Sequence, residues 1–570
     1  MPDTTPRVIL GLNGWSADSD RTLIHEAGAA LIVDGRPVAA VNEERLSRTK
    51  NDGHFPHQAI EAVLAIAGLS VNDVDLIAAA GLDAPEHGQR ICRYLQETFS
   101  EVKFFAPRRL GGALRDRILR RRRQMPAWAQ NVQVDFVEHH LAHAASAYYT
   151  SPWDEATVIT VDGVGDDLCA SVSRGRDGVV ERLYGCNGYY SPGVFYSAVT
   201  LGLGYKKNRH EGKITGLAAY GDPQVHLEEF RRLIQYQPEK RRFFAPEIAR
   251  TYRDLSRNTA FLDRLMQSGK AEDIAAAAQQ VLEEVVVPFC RDAVRQAGSD
   301  KVVLAGGIFA NVKLNQRILA LDEVDNIYIH PNMGDGGLAV GAALEALAKR
   351  GDTGACRPEF LQDVYLGPEW SDDQVIAILE REGRTYTSHE NVEEHIAGLL
   401  VEGRVIGRFA GRMEYGPRAL GNRSILARPT DPSINDWLNE RLHRTEFMPF
   451  APSIIEEEVA THMIGWRPED VAARFMTVTY DTTNQAVEQS PATVHVDKTA
   501  RPQVVRQQDN PSYHAIIRHF FECTGIPSIV NTSFNMHEEP IVCSPEDALR
   551  ALDEGGVELL AINRFIVQPR

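Results

Sequence analysis

The sequence predicts an α/β protein of more than one domain, and three observations carry that prediction. The chain has 570 residues, more than one compact core organises. A strand-rich unit punctuated by Asp-Gly occurs twice in the first two hundred residues. Further on, a buried-strand run leads through Gly306-Gly307 into a helical pattern.

Taken in order, Val8 to Leu12 is a short apolar run ending in a Gly-bearing loop. Ala27 to Val33 then meets Asp34-Gly35, and Pro37 to Asn42 returns from it, which reads as a β-hairpin. The pattern comes back from residue 157 as TVITVDGVGDD, LCASVSRGRDG and VVERLYG, so the three-strand unit reads as an internal duplication. Residues 271–297 place apolar residues at helical spacing, with Gly298 as the stop. Lys301 to Ala305 is a buried strand feeding Gly306-Gly307 and the helical run ANVKLNQRILA. A strand, a Gly turn and a helix together present backbone N–H groups to an anion. Gly and Pro at short intervals through 350–370 mark a boundary, giving domains at 1–355 and 371–570 with a linker at 356–370. Beyond it, 372–403 reads as helix and 404–410 as strand.

Composition narrows the function. Hydrophobic residues at 43% and charged residues at 24% suit a soluble globular protein. Asp and Glu outnumber Lys and Arg by 78 to 61, a formal charge of -17, which disfavours extended nucleic-acid contact. The basic run Arg115, Arg117 and Arg120 to Arg123 reads first as a solvated face, with an anionic partner as the alternative. The seven cysteines form no C-x-x-C pair and are odd in number, so neither a thiolate zinc site nor a disulfide framework is indicated. No secretory leader pattern and no apolar run of about 20 residues is present, which points to a cytoplasmic enzyme.

Four residues suggest a metal site. His139 and His143 in EHHLAHAASAYY stand one helical turn apart and project from one face. His140 points about 100° away and is left out. Asp162 ends the run TVITVD, and Asp335 lies in the Gly-rich HPNMGDGG. Two imidazoles and two carboxylates suit iron, manganese or zinc without choosing among them.

Three segments suit anions. HEGKITGLAAYG offers Glu211 and Lys213 among glycines; a surface turn before a short helix is the plainer reading. GRMEYGPRALGNRSILARP holds Arg412, Arg418, Arg423 and Arg428, which suggests a preformed anion pocket. NTSFNMHEEPIV sets Asn531, Thr532, Ser533 and Asn535 directly after an apolar strand. Phosphate-competent regions in two domains imply two nucleotide sites or one shared nucleotide intermediate.

With EHHLAHAASAYY, HEGKITGLAAYG, LAGGIFANVKLN, MEYGPRALGNRSILA, EFMPFAPSI, TARPQVV and NTSFNMHEEPIV in view, the chain resembles a known family along nearly its whole length. It is similar to the O-carbamoyltransferases typified by nodulation protein NodU, cephem hydroxymethyl carbamoyltransferase and nebramycin 5′ synthase. The resemblance implies an N-terminal domain of the actin/sugar-kinase/Hsp70 superfamily, threonylcarbamoyl-transferase-like, with duplicated α/β halves around a cleft. It implies a C-terminal α+β domain that is YrdC-like. There, ATP (with Mg2+) and carbamoyl phosphate would become carbamoyl adenylate. At the N-terminal metal site the carbamoyl group would pass to a hydroxyl of a small acceptor, a sugar-containing or antibiotic-type natural product.

Carried over by residue, the resemblance implies a metal, usually Fe2+ with Mn2+ or Zn2+ as alternatives, on His139, His143, Asp162 and Asp335. Gly306, Gly307 and Asn311 would contact the adenylate, with Glu211 and Lys213 nearby. Arg418 and Ser533 would act in forming it, with Arg423, Asn531 and Asn535 in the same binding motifs. His25 would take the acceptor's proton, as a histidine of near-neutral pKa can. Asp18, Asp20 and Glu26 flank the presumed acceptor loop; they read first as solvated loop acids, with attraction of a cationic molecule such as an aminosugar as the alternative. Relatives often carry a lysine where this chain reads RLHRTEF, so the phosphate role among Arg441, His443 and Arg444 stays open. The expected partners are ATP, carbamoyl phosphate and the acceptor, with no nucleic acid and no membrane; the oligomeric state, a homodimer included, is not specified. The rivals are a tRNA threonylcarbamoyladenosine-type modification enzyme and a sugar-kinase or Hsp70-like ATPase.

Overall fold

The computed structural model describes residues 7–14, 25–81, 129, 132–244, 269–350, 356–442, 447 and 449–570. The basic run at 115–123, Asp18, Asp20, His443 and Arg444 lie outside the described residues.

The first sheet contains β1 (Val8–Asn13), β2 (Gly28–Val33), β3 (Arg36–Asn42), β4 (Leu76–Ala80) and β5 (Gln133–Val137), in the order β3-β2-β1-β4-β5. The hairpin partners β1, β2 and β3 are antiparallel; β4 and β5 add in parallel to β1. The second sheet opens with β6 (Glu155–Gly165), β7 (Leu168–Arg176) and β8 (Val179–Asn187), again antiparallel. Strands Lys301–Ala305 and Asn326–Ile329 then join β6 in parallel, so the sheet repeats the order and directions of the first. The duplication read in three strands therefore extends to five. The inner strands explain their apolar runs: Leu76–Ala80 and most of Lys301–Ala305 are buried on both faces.

Each sheet ends by sending a helix from its last strand into the space between the halves. These helices, His139–Tyr149 and Leu338–Arg350, pack on each other. Small residues permit the close approach. A Cβ on Gly341 would lie 1.8 Å from the carbonyl oxygen of Ala142. The 27-residue helix Ala271–Ala297 buries one apolar stripe beneath the second sheet and stops at Gly298, whose φ is 86°.

The C-terminal sheet has eight strands of mixed direction. From one edge they are Tyr386–Ser388, Phe565–Val567, Leu559–Ile562, Ile406–Phe409, Arg423–Ala427, Ser528–Ser533, Ala451–Ile455 and Gln503–Val505. Phe409, Phe534 and Leu552 lie in the core on one face, and Tyr513, Phe520 and Ile529 in that on the other. The helix expected over 372–403 is two helices, Asp372–Arg381 and Val392–Val401. Gly383, at φ 61°, turns the chain after the first, and Tyr386–Ser388 then pairs with the sheet edge. The result is a two-domain architecture with mixed sheets.

The domains share a packed seam. Asn315 Nδ2 donates to Thr477 O at 2.7 Å, and Ala40 N–H donates to Leu366 O at 3.2 Å. Val478, Tyr480 and Val504 belong to the same apolar cluster as Phe289 and Leu304. Among the described residues no helix is long and apolar enough to cross a membrane.

Candidate metal centre

Three chain segments converge at the inner end of the paired helices. His139 and His143 occupy the first turns of helix His139–Tyr149, whose N-cap, Glu138, accepts the Leu141 N–H at 2.8 Å. Asp162 comes from β6, where the pairing with β7 shifts register between Val161 and Gly165. Gly165 lets the strand pass against the first imidazole: a Cβ there would stand 2.1 Å from the His139 ring. Asp335 comes from the loop that leads into helix Leu338–Arg350.

The four side chains face one point. His139 Nε2 lies 3.1 Å from Asp162 Oδ2 and 3.6 Å from Asp335 Oδ1. His143 Nε2 lies 3.7 Å and 3.5 Å from the same two oxygens. One donor atom from each residue falls within 4.8 Å of the others. His140 turns elsewhere, to Thr160 Oγ1 and Leu168 O, and burial drives its pKa down to about 3.

Electrostatics hold the cluster charged. Burial opposes a charge on His139, yet Asp335 and Asp162 overcome it and push the imidazole up to about 10. Burial likewise opposes ionisation of Asp162 and Asp335, but the neighbouring imidazoles hold both carboxyls below the usual range. The residues fit a divalent cation on a separate observation. His143 Nε2 and Asp335 Oδ1 are buried without a hydrogen-bond partner, a costly arrangement that a coordinated ion would relieve. The donor set is nitrogen and oxygen without thiolate, as suits iron, manganese or zinc.

Neighbouring groups fix the donors. Gly307 N–H donates to Asp162 Oδ1 at 3.0 Å, so the Gly306-Gly307 turn supports a metal-facing carboxylate. Gly306 is required there, with φ 110° and a Cβ position 2.2 Å from Val161 O. Asn13 Nδ2 donates to Asp335 O at 2.8 Å, and Glu26 Oε2 accepts the Gly336 N–H at 3.0 Å. His25 lies beside the cluster, its Nδ1 3.9 Å from Asp335 Oδ2. Burial opposes its protonation, but Asp335, Glu26 and Asp162 raise its pKa overall.

The remaining candidates lie on other elements of both domains. Asn311 caps helix Val312–Leu319 and bonds Gln279. Glu211 starts helix Glu211–Ala218 and accepts from Ser197 Oγ and Asn208 N–H, both at 2.7 Å. Lys213 is buried, 5.9 Å from the centre of the Tyr205 ring. Arg418 is half-buried in the loop before strand Arg423–Ala427, and Ser533 ends a neighbouring strand of the same sheet.

Arg423 has a different place from the expected ligand contact. It is fully buried over the Phe409 ring, and its guanidinium donates to the carbonyls of Ala410, Gly411, Asn422 and Pro368. Asn531 is similarly internal: its Nδ2 bonds Ala419 O, Ser453 Oγ and Gln503 Oε1, tying the Ser533 strand to the Arg418 loop. Asn535 Nδ2 closes its own turn on Met536 O and Glu539 O. Arg412 bonds the Val38 carbonyl across the seam and the Leu366 carbonyl on its own side, and Arg428 is exposed. Arg441 stacks on Trp437.

Sequence reasoning missed two residues of this loop. Glu414 is buried, and its Oε1 gathers the N–H groups of Leu420, Asn422 and Arg423. Tyr415 Oη donates to Gly336 O at 3.0 Å, joining the arginine loop to the loop that carries Asp335. The available signal was an acid and an aromatic standing alone among Gly and Arg.

Comparison with known proteins bears on the whole chain. A sequence profile described as Carbamoyltransferase N-terminus matches residues 20–344, and one described as Carbamoyltransferase C-terminus matches 397–569. An uncharacterised protein of Synechocystis is 31% identical over 95% of this chain and 95% of its own. Nodulation protein NolNO of Sinorhizobium fredii is 31% identical over 98% of this chain and 82% of its own. Nodulation protein NolO of Bradyrhizobium diazoefficiens is 33% identical, covering 76% of this chain and 79% of that one. One solved structure with a remote likeness is HypF of T. kodakarensis, 14% identical with a TM-score of 0.34, over 61% of this chain and 49% of that one.

Proposed function

The chain belongs to the carbamoyltransferase family, and from that premise we propose that it is an ATP-dependent O-carbamoyltransferase working through carbamoyl adenylate. The observation that carries this reading is the join at Tyr415 and Gly336, which sets the arginine loop of one domain against the metal-facing loop of the other.

In the C-terminal domain, read as YrdC-like, Arg418 and Ser533 bind the phosphates of Mg2+-bound ATP. Carbamoyl phosphate reacts with water there to give carbamate and phosphate. A carbamate oxygen attacks the α-phosphorus, the bond to the β-phosphate breaks, and diphosphate leaves. Arg423 and Glu414 act indirectly by holding the loop in shape. The adenylate then contacts Gly306, Gly307 and Asn311, with Glu211 and Lys213 nearby.

At the N-terminal site, His139, His143, Asp162 and Asp335 would hold the divalent ion, which when bound supplies Lewis-acid polarisation of a carbonyl oxygen. His25, whose Nδ1 lies 3.9 Å from Asp335 Oδ2, takes the proton of the acceptor hydroxyl. The hydroxyl oxygen bonds to the carbamoyl carbon, the bond to AMP breaks, and AMP leaves. The acceptor is a hydroxylated small molecule of the sugar-containing or antibiotic-type class, which makes this a tailoring enzyme of natural-product biosynthesis in the cytoplasm.

The test is incubation with ATP, carbamoyl phosphate and a panel of hydroxylated metabolites, aminosugars included. One panel member should gain a single carbamoyl unit. A carbamoyl-derived mass on tRNA instead would reassign the enzyme.

A further inference from the structure

At the seam, residues 538–541 of the C-terminal domain sit in a cradle made by two N-terminal segments. Glu538 Oε2 meets Lys206 Nζ at 2.7 Å and Arg209 Nη1 at 3.0 Å, while Oε1 meets His210 Nε2 at 3.1 Å. The other segment grips the same turn: Arg48 donates to Pro540 O at 2.9 Å and Ile541 O at 2.7 Å. The two segments are also tied to each other, through Arg209 to Lys50 O at 2.6 Å and Asn51 Nδ2 to Asn208 O at 2.8 Å.

The backbone at Glu538 makes this contact notable. Its φ is 61°, in the left-handed region, where glycine sits without strain and a residue with a Cβ does not. A strained glutamate persists when its side chain compensates, and this carboxylate meets two cations, Lys206 and Arg209, and the His210 imidazole on the other domain. Single exposed ion pairs contribute little, but here one half-buried anion is shared among Lys206, Arg209 and His210. The location is equally specific. His210 directly precedes the helix bearing Glu211 and Lys213, and Glu538 follows Ser533 and Asn535 in the same turn-rich segment.

We propose that Glu538 is a positioning residue, an ionic clasp that holds the two domains together while carbamoyl adenylate is handed from one to the other. The inference rests on the adenylate reading above. An adenylate that escapes is lost: water adds to the carbamoyl carbon, the bond to AMP breaks, and carbamate and AMP result. The clasp keeps that intermediate with the protein.

The experiment uses the full chain with ATP and carbamoyl phosphate and no acceptor. It measures diphosphate released in the first turnover and the share of the AMP moiety that stays with protein through rapid ultrafiltration. Glu538→Gly and Glu538→Gln should release first-turnover diphosphate as the parent does but retain several-fold less nucleotide. High salt should lower retention in the parent toward that of the variants. Glu538→Gly relieves the backbone strain, so its unfolding temperature should not fall, which separates a clasp from a merely structural role; should that variant not fold, Glu538→Gln still gives the retention reading. Equal retention in parent and folded variants would overturn the clasp. A parent that releases no diphosphate would instead overturn the adenylate reading beneath it.

Discussion

His143 makes the residue-scale case for an ion, because its Nε2 is buried without a hydrogen-bond partner between two carboxylates. His143→Ala should reduce bound iron, manganese or zinc to background by elemental analysis, with carbamoyl-phosphate-dependent diphosphate release surviving in the other domain. Unchanged metal content would remove the site. His25→Asn should keep the metal and diphosphate release but slow carbamoyl transfer by about 10²–10⁴-fold, the range for loss of a general base; full transfer would end that role. The helical pair His139 and His143 was legible because i, i+4 spacing is a local property. Asp162 and Asp335 were legible as turn carboxylates, but only the second sheet brings them within reach of one another. Arg423 was misread because a guanidinium in a Gly-rich loop resembles an anion site until its burial over Phe409 is known.

At the scale of elements, the centre depends on how closely two helices approach. Helix His139–Tyr149 supplies both histidines and helix Leu338–Arg350 follows Asp335, with the contact at Gly341 and Ala142 between them. Gly341→Ala should therefore cost about 1–3 kcal/mol by overpacking and weaken metal binding as well. Thermal unfolding and metal titration check the two effects; a variant with parental values for both would show that the helices can separate freely. The hairpins around Asp34-Gly35 and Asp177-Gly178 were readable from turn chemistry. The fourth and fifth strands of each sheet were not read as part of the repeat, because long segments separate them from their hairpins. The break inside 372–403 was hidden for another reason: Tyr386–Ser388 is a strand only because Phe565–Val567 offers an edge.

For the whole molecule, the seam is where sequence reading reached least, since Tyr415–Gly336 and Glu538–His210 join residues far apart in the chain. Its charge makes a pH prediction. Burial works against ionised Glu538, but Lys206, His210 and Arg209 prevail and hold its pKa at about 2, below its ordinary 4.5. A carboxyl depressed on folding stabilises fully above its unfolded value and progressively less as pH falls toward its folded one. Between pH 4.5 and 2, then, the parent should lose more stability than Glu538→Gln, as read by urea unfolding above and inside that window. Parallel losses would remove the ionic contribution.

The central claim, that one domain makes an activated carbamoyl group for the other, is met most directly by following ATP. Purified chain given ATP should release diphosphate and form AMP only when carbamoyl phosphate is also present. Conversion of ATP to ADP and phosphate at the same rate without carbamoyl phosphate would contradict it.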